Sequence, residues 1–361
     1  MAQPGTAQIS LKESVSLESL PRKYHRACFR KDIPVQIRAL ALLSLMAKKI
    51  LITAPAYFDE AAVAIFQQIG EVKAKELQKE ELLQQIAEYD VLAIRVDTNV
   101  DKELIDAAKK LKVIATGTTG INHIDVEYAK TKGIEVISLQ GANTNSTAEH
   151  ALALLLSLAR KIAAAQSSLL SGEWNRAAFI GTELYGKKLG IVGFGRIGKD
   201  IAKIAQSFGM QILAYDPYLP ENVFAECKAT RITSMQKIFS EADIITLHVL
   251  LTEETKGLVN KQIFSLMKPS SLLINCSRGE IVSELDLLDA LKSKKIAGAA
   301  LDVFVTEPLP ADSPLIKYAR QQPNLVLTPH IGGSTKEAVH QAGIDVAAKT
   351  QEFFMKQNNK K

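Results

Sequence analysis

The stretch Lys188-Leu-Gly-Ile-Val-Gly193-Phe-Gly195-Arg196-Ile197-Gly198 decides the fold. A short apolar run of strand type enters three glycines spaced G-x-G-x-x-G, and Lys199–Phe208 then reads as a helix. The glycines serve different ends. Gly193 permits a tight turn, Gly195 admits a pyrophosphate close to the backbone, and Gly198 lets helix and strand pack closely. The start of the helix adds a positive pole for the phosphates. Asp216 follows Gly198 by 18 residues and ends the expected strand Gln211–Tyr215. A carboxylate there accepts hydrogen bonds from ribose hydroxyls and repels a 2′-phosphate, which points to NAD rather than NADP. A plain turn before Pro217 is the alternative reading of Asp216. Arg196 and Ile197 are expected to line the cofactor, with a solvated Arg196 as the alternative.

Further along, short apolar runs continue the same sheet at Ile244–Leu247, Leu272–Asn275, Ala297–Leu301 and Leu325–Leu327. On the N-terminal side a separate series appears: strand Lys49–Thr53, helices Asp59–Ile69 and Glu76–Ile86, strand Val91–Ile94, helix Asp101–Ala108 and strand Lys112–Ala115. Strands alternating with helical segments mean parallel α/β layering. Thr147–Ala165 reads as one long helix, apolar on most faces, suited to a hinge or a dimer interface. A last helix is expected at Thr335–Phe354 and is returned to the first series. The expected fold is therefore α/β with two Rossmann-like domains. A doubly wound NAD-binding domain (145–330) is inserted into a discontinuous flavodoxin-like substrate domain (46–144 and 331–361). Residues 1–45 read as a disordered extension or as sequence ahead of a true start at Met46. A targeting peptide is the alternative, and Val35–Ala47 reads as a small helix.

With 361 residues the chain can bury a large core without disulfides or metals. The net charge of +5 is small and lies partly at the ends, so it suits an anionic substrate and cofactor better than nucleic acid. Cys28, Cys227 and Cys276 are scattered without metal-ligand spacing, so no metal is expected and a reducing, cytoplasmic compartment is. The run Ala151–Ala159 is too short for a bilayer, which needs ~20 residues.

Three loops at strand ends carry candidate chemistry. In Asn275-Cys-Ser-Arg278-Gly279 a guanidinium beyond a strand end can hold a carboxylate by two parallel hydrogen bonds and stabilise a carbonyl oxygen as charge develops. Leu301-Asp302-Val-Phe-Val-Thr-Glu307-Pro and Leu327-Thr-Pro-His330-Ile-Gly-Gly-Ser follow. Histidine titrates near neutrality and suits proton exchange with a hydroxyl, and a carboxylate such as Glu307 would fix its tautomer and favour its charged form. Taken singly, Arg278 also reads as a surface ion-pair residue and His330 as a structural histidine.

In combination, the glycine motif, Leu266-Met-Lys-Pro, Asn275-Cys-Ser-Arg-Gly and Thr328-Pro-His-Ile-Gly-Gly-Ser-Thr resemble the D-isomer-specific 2-hydroxyacid dehydrogenases, from about Met46 to Phe354. The resemblance implies Arg278, Glu307 and His330 as the catalytic set. It implies Asn145, His248 and Asp302 on the cofactor cleft, with His248 behind the reacting atoms. It also implies a two-fold dimer built around the long helix, or a higher assembly.

Thr116-Gly-Thr118-Thr119-Gly120 follows a strand, and its successive amides can cradle a carboxylate; a ligand-free glycine turn is the alternative. Arg95 is the candidate for a second anionic group. Asp97, two residues on, counts against a phosphate there unless it points away. Ile94-Arg95-Val-Asp97-Thr and Ser171-Gly-Glu-Trp174-Asn resemble the phosphoglycerate dehydrogenase subgroup, with glyoxylate or hydroxypyruvate reduction as the alternative. The subgroup's serine-binding regulatory domain would begin near residue 361, so it is not expected here. Asn122 and His123 stand where the family often carries Asp-Asn, which leaves their roles open. Asp125 reads as a helix cap, Cys276 as packing, and Trp174 as an interface or cleft-wall residue. An NAD-binding assembly protein without turnover is the non-enzyme reading, and the joint presence of Arg278, Glu307 and His330 speaks against it.

Overall fold

The computed structural model describes residues 48–139, 141 and 143–358. The expectations placed on residues 1–45, on the 35–47 helix and on Cys28 lie outside the described residues.

Two parallel sheets organise the chain. The first contains β1 (Lys48–Ile52), β2 (Gly70–Ala74), β3 (Val91–Ile94), β4 (Val113–Thr116) and β5 (Glu135–Ile137), in the order β2-β1-β3-β4-β5. The second contains β6 (Lys188–Val192), β7 (Gln211–Tyr215), β8 (Thr230–Arg231), β9 (Ile244–Leu247), β10 (Leu272–Asn275), β11 (Gly298–Leu301) and β12 (Leu325–Leu327). Its order is β12-β11-β10-β9-β6-β7-β8. The first order is flavodoxin-like and the second is the dinucleotide-binding order with one strand added. In the second sheet the winding reverses between β6 and β9, and ligands bind at such switch points beyond the carboxyl ends of strands.

Central strands are buried on both faces, so β3, β4, β9, β10 and β11 are continuous apolar runs with hardly a polar residue. One face of the first sheet packs Ile50, Ile52, Val91 and Ala115 against Phe66 and against Ala342, Val346 and Phe354 of the final helix, Lys336–Asn358. That helix crosses Glu60–Gln67 so closely that a Cβ on Gly343 would lie 3.0 Å from the Cβ of Ala62. Asp59 caps Glu60–Gln67 by accepting from the Ala62 amide, and it also bonds His340 on the final helix. The final helix thus packs on the first sheet and on Glu60–Gln67.

The structure corrects several expected elements. The long helix over Thr147–Ala165 is two helices, Thr144–Ala159 and Ile162–Leu170, bent by 59°. Lys161 sits in the left-handed region at φ 53°, and the Ala159 carbonyl accepts from the Thr182 amide. A returning segment thus caps the first helix, and Gly181 fits there because a Cβ would meet that carbonyl at 2.5 Å. The helix after the glycine motif starts at Arg196, not Lys199, which puts Gly198 inside its first turn. The expected Glu76–Ile86 helix begins only at Lys79. Strands β2, β5 and β8 go beyond the sequence expectations; each is short or polar and lies at a sheet edge. Among the described residues no single helix is long and apolar enough to cross a membrane.

Candidate active site and cofactor cleft

The glycine motif has the geometry its sequence demands. Gly193 adopts φ 93°, and a Cβ there would come within 2.6 Å of the His248 backbone on the neighbouring strand end. A Cβ on Gly198 would meet the Gly193 carbonyl at 2.4 Å and Ile191 at 3.1 Å, so only glycine lets this helix sit on β6. Gly195 caps the helix, and nothing lies within 4 Å of where its Cβ would be. An open N-terminus of a twelve-residue helix beside a backbone that cannot carry side chains fits a pyrophosphate. Asp216 shows its turn reading and also ties the glycine motif to the end of β7. One oxygen accepts from the Phe194 amide inside the motif and the other from the Tyr218 amide of the following turn, each at 3.0 Å. Ile197 is half-buried and packs against the core beneath the motif. Arg196 lies against the backbone of Gly141, where a Cβ would come within 2.7 Å of its guanidinium. Asn145 is exposed in the first turn of Thr144–Ala159.

His248 closes the switch point from β9. Its Nε2 lies 2.7 Å from the Thr246 hydroxyl, its Nδ1 is buried without a partner among the described residues, and burial pushes its pKa down to about 3. Cys276 is half-buried, and desolvation with the charge of Asp302 holds its thiol far above the ordinary range.

The strand ends β10, β11 and β12 bring the three candidate residues together. His330 Nδ1 lies 2.7 Å from Glu307 Oε2, and the other Glu307 oxygen accepts from the Phe304 amide at 2.9 Å. A carboxylate only accepts, so the imidazole carries a proton on Nδ1, and Nε2 is left to meet a ligand. Burial pushes Glu307 up, but the His330 bond and charge, the Phe304 amide and nearby Arg278 outweigh it and hold the carboxyl low. Arg278 is depressed by burial, with Glu307 and Glu280 opposing. Asn275 shapes the turn that presents Arg278, donating to its carbonyl and accepting from Ser277. Gly279 is required because a Cβ would meet the Phe304 carbonyl carbon at 1.9 Å.

Arg278 reaches the first sheet. Its Nε donates to Asn122 Oδ1 at a long 3.4 Å, and its terminal nitrogen rests on Gly120, where a Cβ would lie 1.4 Å away. Thr119 extends the contact between the two halves by donating to Asn143 at 3.1 Å. Thr118 is buried and its hydroxyl donates to the Gly120 carbonyl, so its side chain faces the loop itself. Arg95 donates to the Gly117 carbonyl at 3.2 Å, and its guanidinium stacks 4.4 Å from the Tyr57 ring centre.

Sequence reasoning misses a brace. Asp302, 1% exposed, accepts from Thr328 (2.6 Å), His150 (3.1 Å) and the amides of Ile331 (2.9 Å) and Gly332 (2.7 Å). These bonds hold the loop in which His330 adopts φ 53°, a conformation costing an L-residue ~1–2 kcal/mol. A buried, uncapped Asp after a strand is the only signal in the sequence, and His150 lies too far away in the chain to be paired with it by spacing. Burial raises Asp302, but its four donors win and hold it below its ordinary value of 3.8. A lowered carboxylate stabilises the fold above its unfolded value, and that stability is lost as pH falls through the folded one. Asp302→Asn should cost about 2–4 kcal/mol at neutral pH, because an amide nitrogen must face one of these donors. Denaturant unfolding measures this; a midpoint unchanged from the parent would show the brace to be idle.

The family model for the D-isomer specific 2-hydroxyacid dehydrogenase NAD binding domain matches residues 152–332. The chain is 44% identical over 300 residues to the D-3-phosphoglycerate dehydrogenase of Methanocaldococcus jannaschii, covering 83% of this chain and 56% of that protein. It is 42% identical over 279 residues to the hydroxypyruvate reductase of Thermotoga maritima, covering 77% of this chain and 89% of that one. It thus spans little more than half the length of the phosphoglycerate dehydrogenases it matches. Among solved structures, the D-lactate dehydrogenase of Aquifex aeolicus with NAD and lactic acid superposes at TM-score 0.75 and 26% identity, over 84% of this chain and 95% of that one. The chain belongs to the D-isomer specific 2-hydroxyacid dehydrogenases.

Proposed function

We propose that the protein interconverts a D-2-hydroxy acid and its 2-oxo acid with NAD, and that the hydroxy acid is 3-phospho-D-glycerate. The observation that carries the first part is the His330–Glu307 pair at 2.7 Å, with Arg278 close enough to perturb Glu307. When bound, NAD supplies or takes up the hydride. His330 Nε2 gives a proton to the carbonyl oxygen or receives it from the hydroxyl. Glu307 holds the ring by Nδ1 and so points Nε2 at the reacting oxygen. Arg278 binds the carboxylate and stabilises the oxygen as it gains charge.

Arg95 supports the phosphate. Its Nε is buried without a partner among the described residues, a donor awaiting an acceptor. Asp97 is exposed and lines a cavity of about 430 Å³ with Tyr57, Glu76 and Lys79; its charge still favours the charged guanidinium of Arg95, which bonds to Gly117. The fit with the phosphoglycerate dehydrogenase relatives points the same way. Hydroxypyruvate or glyoxylate reduction is the second reading, favoured by the relative whose length this chain nearly spans. NAD reduction with 3-phospho-D-glycerate, the oxo acid being trapped, decides between them. Turnover supports the phosphate; no turnover, with hydroxypyruvate reduced by NADH, establishes the second reading. If the first holds, Arg95→Met should raise KM for phosphoglycerate roughly 10- to 100-fold, the worth of a charge-assisted bond. Glyoxylate reduction serves as the control that should hardly move; equal losses on both would mean Arg95 only supports the fold.

We also infer a homodimer. Leu170, Trp174, Ile180 and Tyr185 are each at least 75% exposed around a helix, Ile162–Leu170, that buries none of its residues. An apolar surface of this kind fits a second copy of the chain.

A further inference from the structure

His123 has no part in the reaction outlined above, yet it sits among the groups that carry it. It is held well inside the substrate side of the cleft, where burial first, and then the charges of Arg278, Arg95 and His330, push its pKa down to about 4. It is therefore a neutral imidazole at physiological pH. Its tautomer follows from a chain of hydroxyls. Thr118 Oγ1 lies 2.8 Å from the Gly120 carbonyl, which only accepts, so the Thr118 proton is used there. Thr118 then accepts from Thr116 across 2.8 Å. Thr116 has no second proton, so the remaining contact, 3.4 Å to His123 Nε2, must be donated by the imidazole.

The same loop shows what this chain of bonds achieves. The carbonyls of Gly117, Thr118, Gly120 and Ile121 all accept hydrogen bonds, from Arg95, Leu139, Thr118 and Ile124 respectively. Among the described residues the amides of Thr118, Thr119, Gly120 and Ile121 donate to no protein acceptor. With four of the five carbonyls from Gly117 to Ile121 satisfied, that of Thr119 excepted among the described residues, and these amides unsatisfied, the loop has the polarity of an anion site. The Gly120 carbonyl is the one member of this set held by a side chain rather than by a neighbouring element or an arginine.

We propose that His123 is a positioning residue for the substrate carboxylate: with its proton on Nε2 it anchors the Thr116–Thr118 hydroxyl chain that turns the Gly120 carbonyl inward and leaves the loop's amides to the anion. The inference rests on the reading of residues 116–120 as the carboxylate site. His123 exchanges no proton with the substrate. A histidine serves where a serine or threonine would not, because a neutral ring supplies one directed donor from a distant backbone without adding charge beside Arg95 and Arg278.

Two measurements test this. In the ligand-free protein, nitrogen NMR of the imidazoles should show His123 as the Nε2–H tautomer; an Nδ1–H tautomer overturns the relay whatever the enzyme's substrate. Oxalate then serves as the carboxylate probe, titrated into protein saturated with NADH. His123→Phe should weaken oxalate about ten-fold, the effect of losing one buried neutral bond. His123→Gln, which restores a donor, should recover most of that affinity. Thr116→Val should equal His123→Phe, and the double variant should be no worse than either. Turnover should show the loss in KM with kcat within about two-fold. Unchanged oxalate affinity, additive losses, or a large fall in kcat alone would each overturn the proposal. A wild type without turnover on any 2-hydroxy acid would sink the functional reading, while the tautomer and oxalate results would still decide the relay.

Discussion

Replacing His330 with asparagine is expected to lower kcat in both directions by about 10²–10⁴, the usual worth of a positioned general acid–base. Asparagine is the informative choice. Its amide can still donate to Glu307 from near the position of Nδ1, while nothing replaces Nε2. The pair's geometry at 2.7 Å and the Phe304 amide that steers Glu307 should survive, so the change isolates proton exchange. Affinity for NADH should stay within about two-fold of the parent, since one bond at most is altered near the cofactor. Single-turnover hydride transfer measured by NADH absorbance gives the number. A loss below ten-fold would assign the proton to another group.

Arg278→Gln comes next in size. The guanidinium is asked to do two things: bind the carboxylate in the ground state and stabilise the oxygen as it acquires charge. Loss of the second should lower kcat about 10²–10³-fold, as for a donor to a developing oxyanion. Loss of the first should raise KM about ten-fold further. Arg278→Lys should recover little, because an ammonium cannot make two parallel bonds to one carboxylate or span from Asn122 to Gly120. Steady-state kinetics with the oxo acid varied at saturating NADH separates the two. A KM effect with kcat intact would confine Arg278 to binding.

The strands legible in the sequence are those that read as short apolar runs, whether central or, like Leu325–Leu327, at an edge. Val91–Ile94, Gln211–Tyr215, Ile244–Leu247, Leu272–Asn275 and Leu325–Leu327 are found at their expected bounds. Gly70-Glu-Val-Lys-Ala is not legible because an edge strand half in water carries charges and resembles a loop. The break at Arg160-Lys161 is hidden too, because it depends on the Thr182 amide, twenty-odd residues on, taking the carbonyl that would continue the helix. The glycine motif carries its own geometry in its spacing. Arg278, Glu307 and His330 are suggested singly by chemistry and jointly by resemblance. What supports them is invisible in the sequence: the donors on Asp302, the hydroxyl chain from His123 and the stacking of Tyr57 on Arg95 join residues up to 152 positions apart. Pairings of that kind follow only from topology. Asp125 is legible, because a cap acts within its own turn, and it accepts from the Tyr128 amide as expected.

The site is divided unequally between the two sheets. Glu307, His330 and the loop around Asp302 all hang from the ends of β11 and β12, and the turn of Arg278 from β10 beside them. Among the described residues, the tip of Arg278 and the Thr119–Asn143 bond are the hydrogen-bonded links to the loop after β4. A rigid rotation of one sheet away from the other would therefore leave the proton-handling pair whole and separate only the anion clamp. On the proposed function, such an opening would loosen the hold on the substrate's charge while leaving the His330–Glu307 pair assembled.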